Sequence, residues 1–439
     1  MANTHLTRTS GTSTNTDIFT ISTWVKRSEL DDNDFFVYAT GGNSDDNWFQ
    51  VGFANDNKFI ISAYNTVWLK TNRVFRDVNA WYHIVIKADS PQGTASNRLK
   101  LYVNGVEETS FTTDNRSSIS QGQTWGWNKN SIVHYIGSKA GSNYFDGCLS
   151  HFHFSDGYAY DASTFGSTDS TTGEWKINAD PSFTLGTNGF TILKDGNTIT
   201  DQSTNSNNWT LAGGTLTKTE DCPSNVFCTM NPLDNYYAGS TFSNGNTTVA
   251  TATSPYTYNT GNMGMSSGKY YWELKWLSVG SGNSAAGIIS TVSTGTDDEA
   301  PTSTDAAVYK DDGVTRENGS NGTSIGAVSA NDIVSFAYDA DNNFIYFALN
   351  GTWQNSGDPT SGASGTGGYD PGNTPANTTT GNYFPFFSDH NGGGGYSASF
   401  NFGNGYFGTT AVSSAGTNAS GNGIFEYDVP TGFTALSTK

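Results

Sequence analysis

Short runs of alternating apolar and polar residues, closed by Asn-Gly, constrain this chain more than any other feature. Leu99, Leu101 and Val103 alternate and are followed at once by Asn104-Gly105. Another run, 344–349, ends in the same way at Asn350-Gly351. A type I′ turn needs positive φ at both central residues, so Asn-Gly between two such runs predicts a β-hairpin. We therefore predict antiparallel sheets.

The composition agrees with this prediction. The chain of 439 residues contains 51 glycines, and 14% of its residues are aromatic. Aromatic and β-branched side chains pack well on pleated surfaces, while Gly and Asn supply turn dihedrals. Residues that favour helices never accumulate over a long window. We predict an all-β fold class with two antiparallel β-sandwich (jelly-roll) domains in tandem, joined by a β-rich connector.

The formal net charge of −19 excludes several classes of partner. Nucleic-acid binders need a basic footprint, and docking on an anionic membrane needs basic side chains. No apolar run is long enough for membrane insertion, and residues 1–10 lack the apolar core of a signal peptide. We expect no nucleic-acid partner and no membrane insertion. A neutral polysaccharide, or an anionic one bridged by divalent cations, stays open.

The patterns divide the chain into three blocks. We predict a first domain over 1–176, a connector with short strands over 177–235, and a second domain over 236–439. The connector still has Phe190, Trp209 and Phe227 to bury. Three cysteines give no disulfide framework, although Cys222 and Cys228 are close enough in sequence for a local pair.

Five segments of the first block resemble the laminin-G-like, concanavalin-A-type jelly roll. They are FTISTWVKR (19–27), WYHIVI (81–86), LKLYVNG (99–105), HYIG (134–137) and YFDGCLSHFHFSD (144–156). The last looks like the closing strand of that family. The five follow the family's order and span nearly the whole block, so the resemblance implies a lectin-like sandwich.

The third block resembles a SPRY domain. The segments are GKYYWELKW (268–276), NDIVSFAYDADNNFIYFALNG (331–351), YFPFFS (383–388) and FNFGNGYF (400–407). They follow the family's order, although Asn331 stands where many members have Gly. The resemblance implies a second β-sandwich that presents a binding surface on its loops.

This pair of domains, in a chain rich in Asn, Thr and Gly, is similar to structural proteins of tailed bacteriophages. The segment YDVPTGFTAL (427–436) also looks like a closing segment of such proteins. The resemblance implies a tail-fibre or decoration subunit on the virion surface, made in the host cytoplasm. Its partners would be a host-surface polysaccharide and other virion proteins. A homo-oligomer is expected, and homotrimers are usual for fibres, although no heptads support one here.

Candidate glycan-binding residues are aromatic or polar side chains placed in loops or polar stretches. Sugar faces stack on exposed rings, while Asn, Asp and main-chain groups bond the hydroxyls. These residues are Trp48, Trp68, Trp125, Trp127, Asn128, Tyr309, Trp353, Asp389 and His390. The alternative is that each tryptophan closes the edge of a sandwich as part of its core.

Metal sites are a second hypothesis. Asp31, Asp32 and Asp34 cluster in a turn, and Asp45-Asp46 follow after one strand. Carboxylates from two neighbouring loops could hold calcium, the one cofactor that we consider. The alternative is a pair of solvated acidic loops. His151 and His153 share one face of a strand and could reach a metal with His83, or be ordinary polar strand residues.

The sequence argues against an enzyme. Jelly-roll glucanases carry paired carboxylates on one strand, because two acids must flank the scissile bond. Glu426 and Asp428 form the nearest fragment, and no Glu follows at the required spacing. The function that we expect is glycan binding by a virion protein. A purely structural virion protein with protein–protein contacts is the alternative, and a polysaccharide hydrolase is a third.

Overall fold

A computed structural model describes residues 3–194, 196, 198–237, 239–253, 256–280, 284–290, 304–389 and 395–439. The chain forms two compact units. Unit 1 comprises Met1–Lys218 and Cys222–Ser224, and unit 2 comprises Thr219–Asp221 and Asn225–Lys439. The regular secondary structure of both units is almost entirely antiparallel β-strand, which confirms the predicted fold class. In the described ranges, no helix is long and apolar enough to cross a membrane.

Unit 1 is built of short strands. They are β1 (His5–Thr9), β2 (Ile18–Arg27), β3 (Asp34–Thr40), β4 (Trp48–Phe53), β5 (Lys58–Ser62), β6 (Val67–Val74), β7 (Tyr82–Asp89), β8 (Leu99–Val103), β9 (Val106–Glu107), β10 (Phe111–Asp114), β11 (Val133–Ile136), β12 (Gly147–Asp156), β13 (Gly166–Thr168), β14 (Trp175–Ile177), β15 (Phe190–Ile192) and β16 (Thr210–Gly213). Single 3-10 turns lie at Ala95–Asn97, Arg116–Ser118 and Ala162–Thr164.

Two sheets enclose the core of unit 1. One has eight strands in the order β10-β6-β5-β4-β3-β11-β1-β16, and the other has six in the order β15-β12-β2-β7-β8-β9. The inward residues of the alternating strands fill the space between them, among them Phe36, Phe53, Ile84 and Leu101. Alternation thus decides which side chains enter the core and which face outward.

Unit 2 repeats the principle with different strands. They are β17 (Met230–Tyr237), β18 (Thr241–Ser243), β19 (Thr248–Ala250), β20 (Thr257–Gly261), β21 (Lys269–Ser278), β22 (Ser284–Ile289), β23 (Ala306–Lys310), β24 (Val314–Glu317), β25 (Ser320–Ser324), β26 (Ile333–Asp339), β27 (Phe344–Leu349), β28 (Thr352–Trp353), β29 (Phe384–Asp389), β30 (Ser397–Asn401), β31 (Tyr406–Phe407), β32 (Thr410–Ala411) and β33 (Thr434–Ala435). Single 3-10 segments lie at Gln354–Ser356, Pro359–Ser364 and Pro375–Asn377.

The two large sheets of unit 2 also enclose a core. Their orders are β17-β20-β29-β22-β23-β24-β25 and β18-β19-β30-β21-β26-β27-β28, and β33 joins the second sheet beside β21. Trp272, Trp276 and Phe336 are buried between them.

Both predicted Asn-Gly hairpins are present. Asn104 and Gly105 have φ of 47° and 81° between β8 and β9, and Asn350 and Gly351 have φ of 47° and 80° between β27 and β28. These positive values are those that a type I′ turn requires.

The region predicted as a connector, 177–235, divides between the two units. Strand β15 pairs with β12 and β16 pairs with β1, so residues 190–213 complete both sheets of unit 1. Phe190 and Trp209 are buried in its core, whereas Phe227 is buried in the core of unit 2. The apolar residues that suggested an ordered connector are core residues of the sandwiches themselves.

Candidate functional site

The two tryptophans considered as an exposed sugar platform are core residues. Trp125 is fully buried, and its indole lies edge-on to Trp68 at 5.2 Å between ring centroids. Trp127 stacks on Trp209 at 6.4 Å. Gly126 between them lies so close to the backbone of Trp48 that a Cβ there would be 2.5 Å from it. The segment therefore closes one end of the sandwich, and its rings cannot stack on a ligand from outside.

Trp68 and Asn128 are buried as well. Asn128 donates to the Asp156 carboxylate at 2.7 Å and to the Asn15 carbonyl oxygen at 3.0 Å. Asp156 also accepts the backbone N–H of Asn188 at 2.9 Å. Asn128 therefore joins the N-terminal segment, the end of β12 and the start of β15, instead of facing solvent.

In unit 2 the predicted binding residues lie in or against the core. Tyr309 is buried, and its hydroxyl donates to the carbonyl oxygen of Gly326. Asp389 is buried at the end of β29 and accepts from Thr251. Trp353 is half-buried and packs against the core. His390 lies outside the described residues. Because of the alternation within β23 and β29, the side chains of Tyr309 and Asp389 point inward.

The five aspartates considered for calcium do not form one site. Asp34 begins β3, whereas Asp45 and Asp46 lie in the turn after β3, at the opposite end of the hairpin with β4. Seven residues of strand separate them by about 20 Å. Asp31 bonds Asn57, Asp32 bonds the Asn33 backbone, and Asp34 is the buried partner of Arg27.

In the second turn, Asp45 accepts from Thr66 at 2.6 Å and from the backbone of Asn65, and Asp46 accepts from Ser44 at 2.6 Å. Among the described residues, no group of three His, Cys, Asp or Glu side chains is placed to hold a metal ion. The three cysteines are free thiols.

The histidines of the six-stranded sheet are hydrogen-bonded beneath a covering segment. His83 accepts from Trp175 Nε1 at 3.0 Å and also bonds Ser22, and His153 bonds Thr191 at 3.0 Å. Burial lowers the pKa of both imidazoles to about 3. Both rings are therefore neutral at physiological pH, and these contacts give them a role in packing.

A row of outward side chains crosses the eight-stranded sheet instead. Tyr38 in β3 lies opposite Tyr135 in β11 and opposite Gln50 in β4. Val37 and Ala39, which flank Tyr38, belong to the core, so Tyr38 points to the other side of the sheet. The same parity puts Tyr135 and Gln50 outside.

Six rings make this outer surface continuous, and we call it the aromatic face. Its members are His5, Tyr38, Trp48, Tyr64, Tyr135 and Tyr144. The ring centroids are 5.2 Å apart for Tyr64–Trp48, 5.0 Å for Trp48–Tyr38, 5.8 Å for Tyr38–Tyr135, 6.3 Å for Tyr135–His5 and 5.7 Å for His5–Tyr144. Tyr64 is 40% exposed, and Trp48, Tyr135, His5 and Tyr144 are half-buried. Tyr38, which joins Trp48 to Tyr135, is itself buried at 3% exposure beneath its neighbours. The face thus offers aromatic surface to solvent along several strands.

Polar groups lie among the rings. The indole Nε1 of Trp48 donates to Gln50 Oε1 at 3.1 Å, which fixes the orientation of both side chains. Burial raises the pKa of Tyr38 to about 12, so its hydroxyl stays protonated at neutral pH. Rings with nearby amide and hydroxyl groups can bind both the C–H surface and the hydroxyls of a sugar.

A tight turn places a cation on the same face. Lys139 and Ser142 exchange backbone hydrogen bonds around Ala140-Gly141, both of which have positive φ. The Tyr144 hydroxyl donates to the Gly141 carbonyl oxygen at 2.6 Å. The Lys139 ammonium lies 5.2 Å from the Trp48 ring centroid and 5.6 Å from that of Phe35. The turn and these contacts hold the cation over aromatic surface.

Glu426 and Asp428, the nearest fragment to a catalytic pair, have other partners, and so does the buried Glu273. Glu426 accepts the backbone N–H of Ser413 at 2.7 Å, and Asp428 accepts that of Thr417 at 2.6 Å. Glu273 is fully buried in β21 and receives four hydrogen bonds. These contacts assign the three carboxylates to loop and core structure.

Comparison with known proteins finds a similarity for part of unit 1. Residues 2–164 match the model of the concanavalin A-like lectin/glucanases superfamily. That part of unit 1 therefore has a concanavalin A-like fold, as its sequence pattern predicted. The superfamily includes binding proteins and hydrolases, so the match by itself leaves both open. Comparison with curated proteins gives no match.

Solved structures with a likeness to the chain include two SPRY domains and a pentraxin. The SPRY domain of human HERC1 has 16% identity and a TM-score of 0.31, with 39% of this chain and 96% of that one covered. A further human SPRY domain has 16% identity and a TM-score of 0.26, with 35% and 90% covered. The heptameric SAP-like pentraxin of Limulus polyphemus has 15% identity and a TM-score of 0.27, with 35% and 70% covered.

Of the predicted glycan residues, the aromatic face contains Trp48 alone. The sequence could have indicated that Tyr38 and Tyr135 point outward, because each alternates with inward residues in the segments FVYAT and HYIG. The sequence could not indicate that the two tyrosines are neighbours, because β3 and β11 are distant in sequence. Lys139 gave no signal without the turn that positions it.

Proposed function

We propose that this protein is a non-catalytic carbohydrate-binding protein, and that unit 1 binds a surface polysaccharide through the aromatic face. The observation that supports this most is the continuous series of six rings on the outer side of the eight-stranded sheet, five of which reach solvent while Tyr38 is buried between them. Contiguous apolar surface that reaches solvent often marks a binding site. The concanavalin A-like fold of residues 2–164 supports the same class of function.

The geometry suits a polysaccharide chain better than a single sugar. The rings follow one another from Tyr64, in the turn after β5, across β4, β3 and β11 to β1. A glycan has pyranose faces repeated along its length. Each stacking contact would be weak, so affinity would come from several rings and from display in many copies. The phage-like sequence pattern supports a virion surface as the place of display. A tail fibre or decoration protein, assembled as a homo-oligomer and in contact with other virion proteins, would supply that valency.

A structural role within the particle is the second candidate, and one observation favours it. Leu233 is 64% exposed on β17, which is the outermost strand of its sheet. An edge strand with an exposed apolar residue can pair with another protein. This would explain how the protein attaches to its particle while unit 1 binds glycan. Hydrolysis is the weakest candidate, because Glu273, Glu426 and Asp428 are held in structural contacts.

The test is binding of the purified protein to host cells and to a panel of surface glycans. Trp48→Ala and Tyr64→Ala should each weaken binding about tenfold or more, since truncating an aromatic anchor costs about 2 kcal/mol. Tyr158→Ala is the matched control, because Tyr158 is 39% exposed, close to the 40% of Tyr64, and lies away from the face.

Binding that survives both face substitutions would remove the aromatic face from the function. If no glycan binds even when the protein is displayed in many copies, the structural candidate takes its place. Release of reducing ends from the bound glycan would instead show a hydrolase.

A further inference from the structure

Lys139 is the feature of the aromatic face that stacking on a neutral sugar leaves unexplained. Burial lowers the pKa of its ammonium, and no carboxylate acts in the opposite direction. Among the described residues, Lys139 Nζ forms no ion pair, whereas Lys129 nearby pairs with Asp46 at 3.4 Å. A partly desolvated cation without a counter-ion is unfavourable unless something else compensates it.

The rings beneath the ammonium compensate only part of this cost. The Trp48 and Phe35 centroids lie 5.2 and 5.6 Å away, within cation–π range. They leave the N–H donors of the ammonium free to bond an anion. The chain carries a net charge of −19, yet this position on the face presents a positive charge.

The acidic residues in the turn before Trp48 do not neutralise Lys139. Asp45 is occupied by Thr66 and the backbone of Asn65, and Asp46 by Ser44 and Lys129. Both contribute to the turn that leads into Trp48. An anion at Lys139 would therefore meet one unpaired cation beside aromatic surface on which a sugar ring can stack.

We propose that the ligand of the aromatic face is an acidic polysaccharide, in which the carboxylate of a uronic acid pairs with Lys139 while sugar rings stack on Trp48 and its neighbours. A carboxylate bonded directly to a pyranose ring stays close to that ring, so it can reach an ammonium beside the stacking surface. Charge-assisted hydrogen bonds of this kind are short and strong. This inference rests on the proposed function and specifies its class of ligand.

The test uses three uronic-acid polymers, namely polygalacturonate, alginate and hyaluronan, each compared with its carboxyl-reduced form. The reduced forms keep the sugar backbone and remove the charge. We expect the full-length protein to bind at least one acidic polymer, and to bind its reduced form about tenfold more weakly, as loss of one charged hydrogen bond implies. Lys139→Gln should lower affinity for the acidic form by a similar factor and leave the reduced form unchanged.

Lys129→Gln is the matched control, because it removes a neighbouring cation that Asp46 already neutralises. Equal binding of acidic and reduced forms, both lost in Trp48→Ala, would overturn the acidic ligand and leave carbohydrate binding standing. Loss of acidic binding in Lys139→Gln and Lys129→Gln alike would show a general charge effect and also overturn the inference. Binding of none of the three uronates would overturn it too, and failure on every neutral glycan as well would end the proposed function.

Discussion

The carboxylate of Glu273 accepts the backbone N–H of Tyr427 at 2.8 Å, across 154 residues of chain. It also accepts the N–H of Glu426 at 2.9 Å, the Tyr271 hydroxyl at 3.0 Å and the Asn401 amide at 3.2 Å. One buried side chain in β21 therefore fastens the C-terminal segment to unit 2. Burial raises its pKa to about 7, against the opposite effect of these four hydrogen bonds.

Glu273→Gln should loosen the C-terminal segment. The substitution replaces an accepting oxygen by an NH₂ group that faces another donor. We expect a loss of about 2 kcal/mol in the free energy of unfolding. Denaturant unfolding measures this loss, and the backbone amides of residues 425–436 should exchange hydrogen faster. Unchanged exchange in that segment would contradict the anchoring role.

The same residue should give the stability of unit 2 a pH dependence. Its pKa is about 7 in the fold and 4.5 ordinarily, so the folded state binds more protons between these values. Its contribution is therefore lost as pH rises from about 4.5 through 7. In Glu273→Gln the free energy of unfolding of unit 2 should therefore fall less steeply over that range, by up to about 1.4 kcal/mol per pH unit. Identical slopes in the two proteins would show that Glu273 does not titrate there.

His153 should make unit 1 sensitive to acid. Burial holds its pKa at about 3, with His151, His83 and Lys194 contributing in the same direction, whereas the ordinary value is 6.5. The unfolded chain takes up a proton below 6.5 and the folded chain does not, so stability falls as pH drops from 6.5 toward 3.

His153→Gln should reduce that fall by up to about 1.4 kcal/mol per pH unit. Denaturant unfolding of both proteins from pH 8 to pH 4 checks this prediction. At pH 8 the histidine is neutral in the folded and unfolded states, so the difference in stability between the two proteins there measures the loss of packing alone. A variant that loses stability toward acid as steeply as the natural protein would refute the assignment.

Trp125 and Trp48 should separate stability from binding. Trp125→Ala opens a cavity in the core of unit 1 and leaves the Asp17 carbonyl oxygen without the donor that lies 2.8 Å from it. Such truncations cost about 3–5 kcal/mol. Trp48→Ala should cost clearly less stability, because the ring is half-buried, but should lose glycan binding. Denaturant unfolding of both variants beside glycan binding tests the division, and equal losses of stability would argue against it.

Arg27 and Asp34 form a buried ion pair, with Arg27 Nη2 3.7 Å from Asp34 Oδ1 and both side chains nearly inaccessible. Arg27→Met removes the charge that compensates Asp34 and should cost about 3–5 kcal/mol in the free energy of unfolding. Lys87→Ala, which breaks the partly exposed pair with Asp161, should cost about 1 kcal/mol or less. Denaturant unfolding of the two variants compares them, and similar losses would contradict this account of the buried pair.

Local patterns in the sequence predicted local structure well. Asn104-Gly105 and Asn350-Gly351 form the expected hairpins, because the turn conformation depends on these residues alone. The alternating runs form strands because alternation with a period of two residues is also a local property of the sequence. Residues 190–213 were assigned to a connector because β15 and β16 are short, and their partners β12 and β1 are distant in sequence.

The candidate site was harder to predict for a related reason. Trp125 and Trp127 lie in a polar segment with a glycine, and polar segments of this kind commonly lie on the surface. Their burial depends on Gly126 approaching the backbone of Trp48, a tertiary contact without a local pattern. Tyr38 and Tyr135 become neighbours only through the lateral order of strands, which alternation does not encode. Trp48 follows Asp45-Asp46, and this local acidic pair is the reason that the sequence predicts it as a candidate.

The position of β1 has a consequence for how the protein is made. This strand leaves the ribosome before the other strands of unit 1, yet it lies between β11 and β16, whose residues 133–136 and 210–213 are synthesised much later. At about 5–20 residues per second, residue 213 follows residue 5 by about 10–40 seconds. Unit 1 must therefore fold late in translation, and a chaperone that shields the waiting N-terminal strand should raise the yield of native protein.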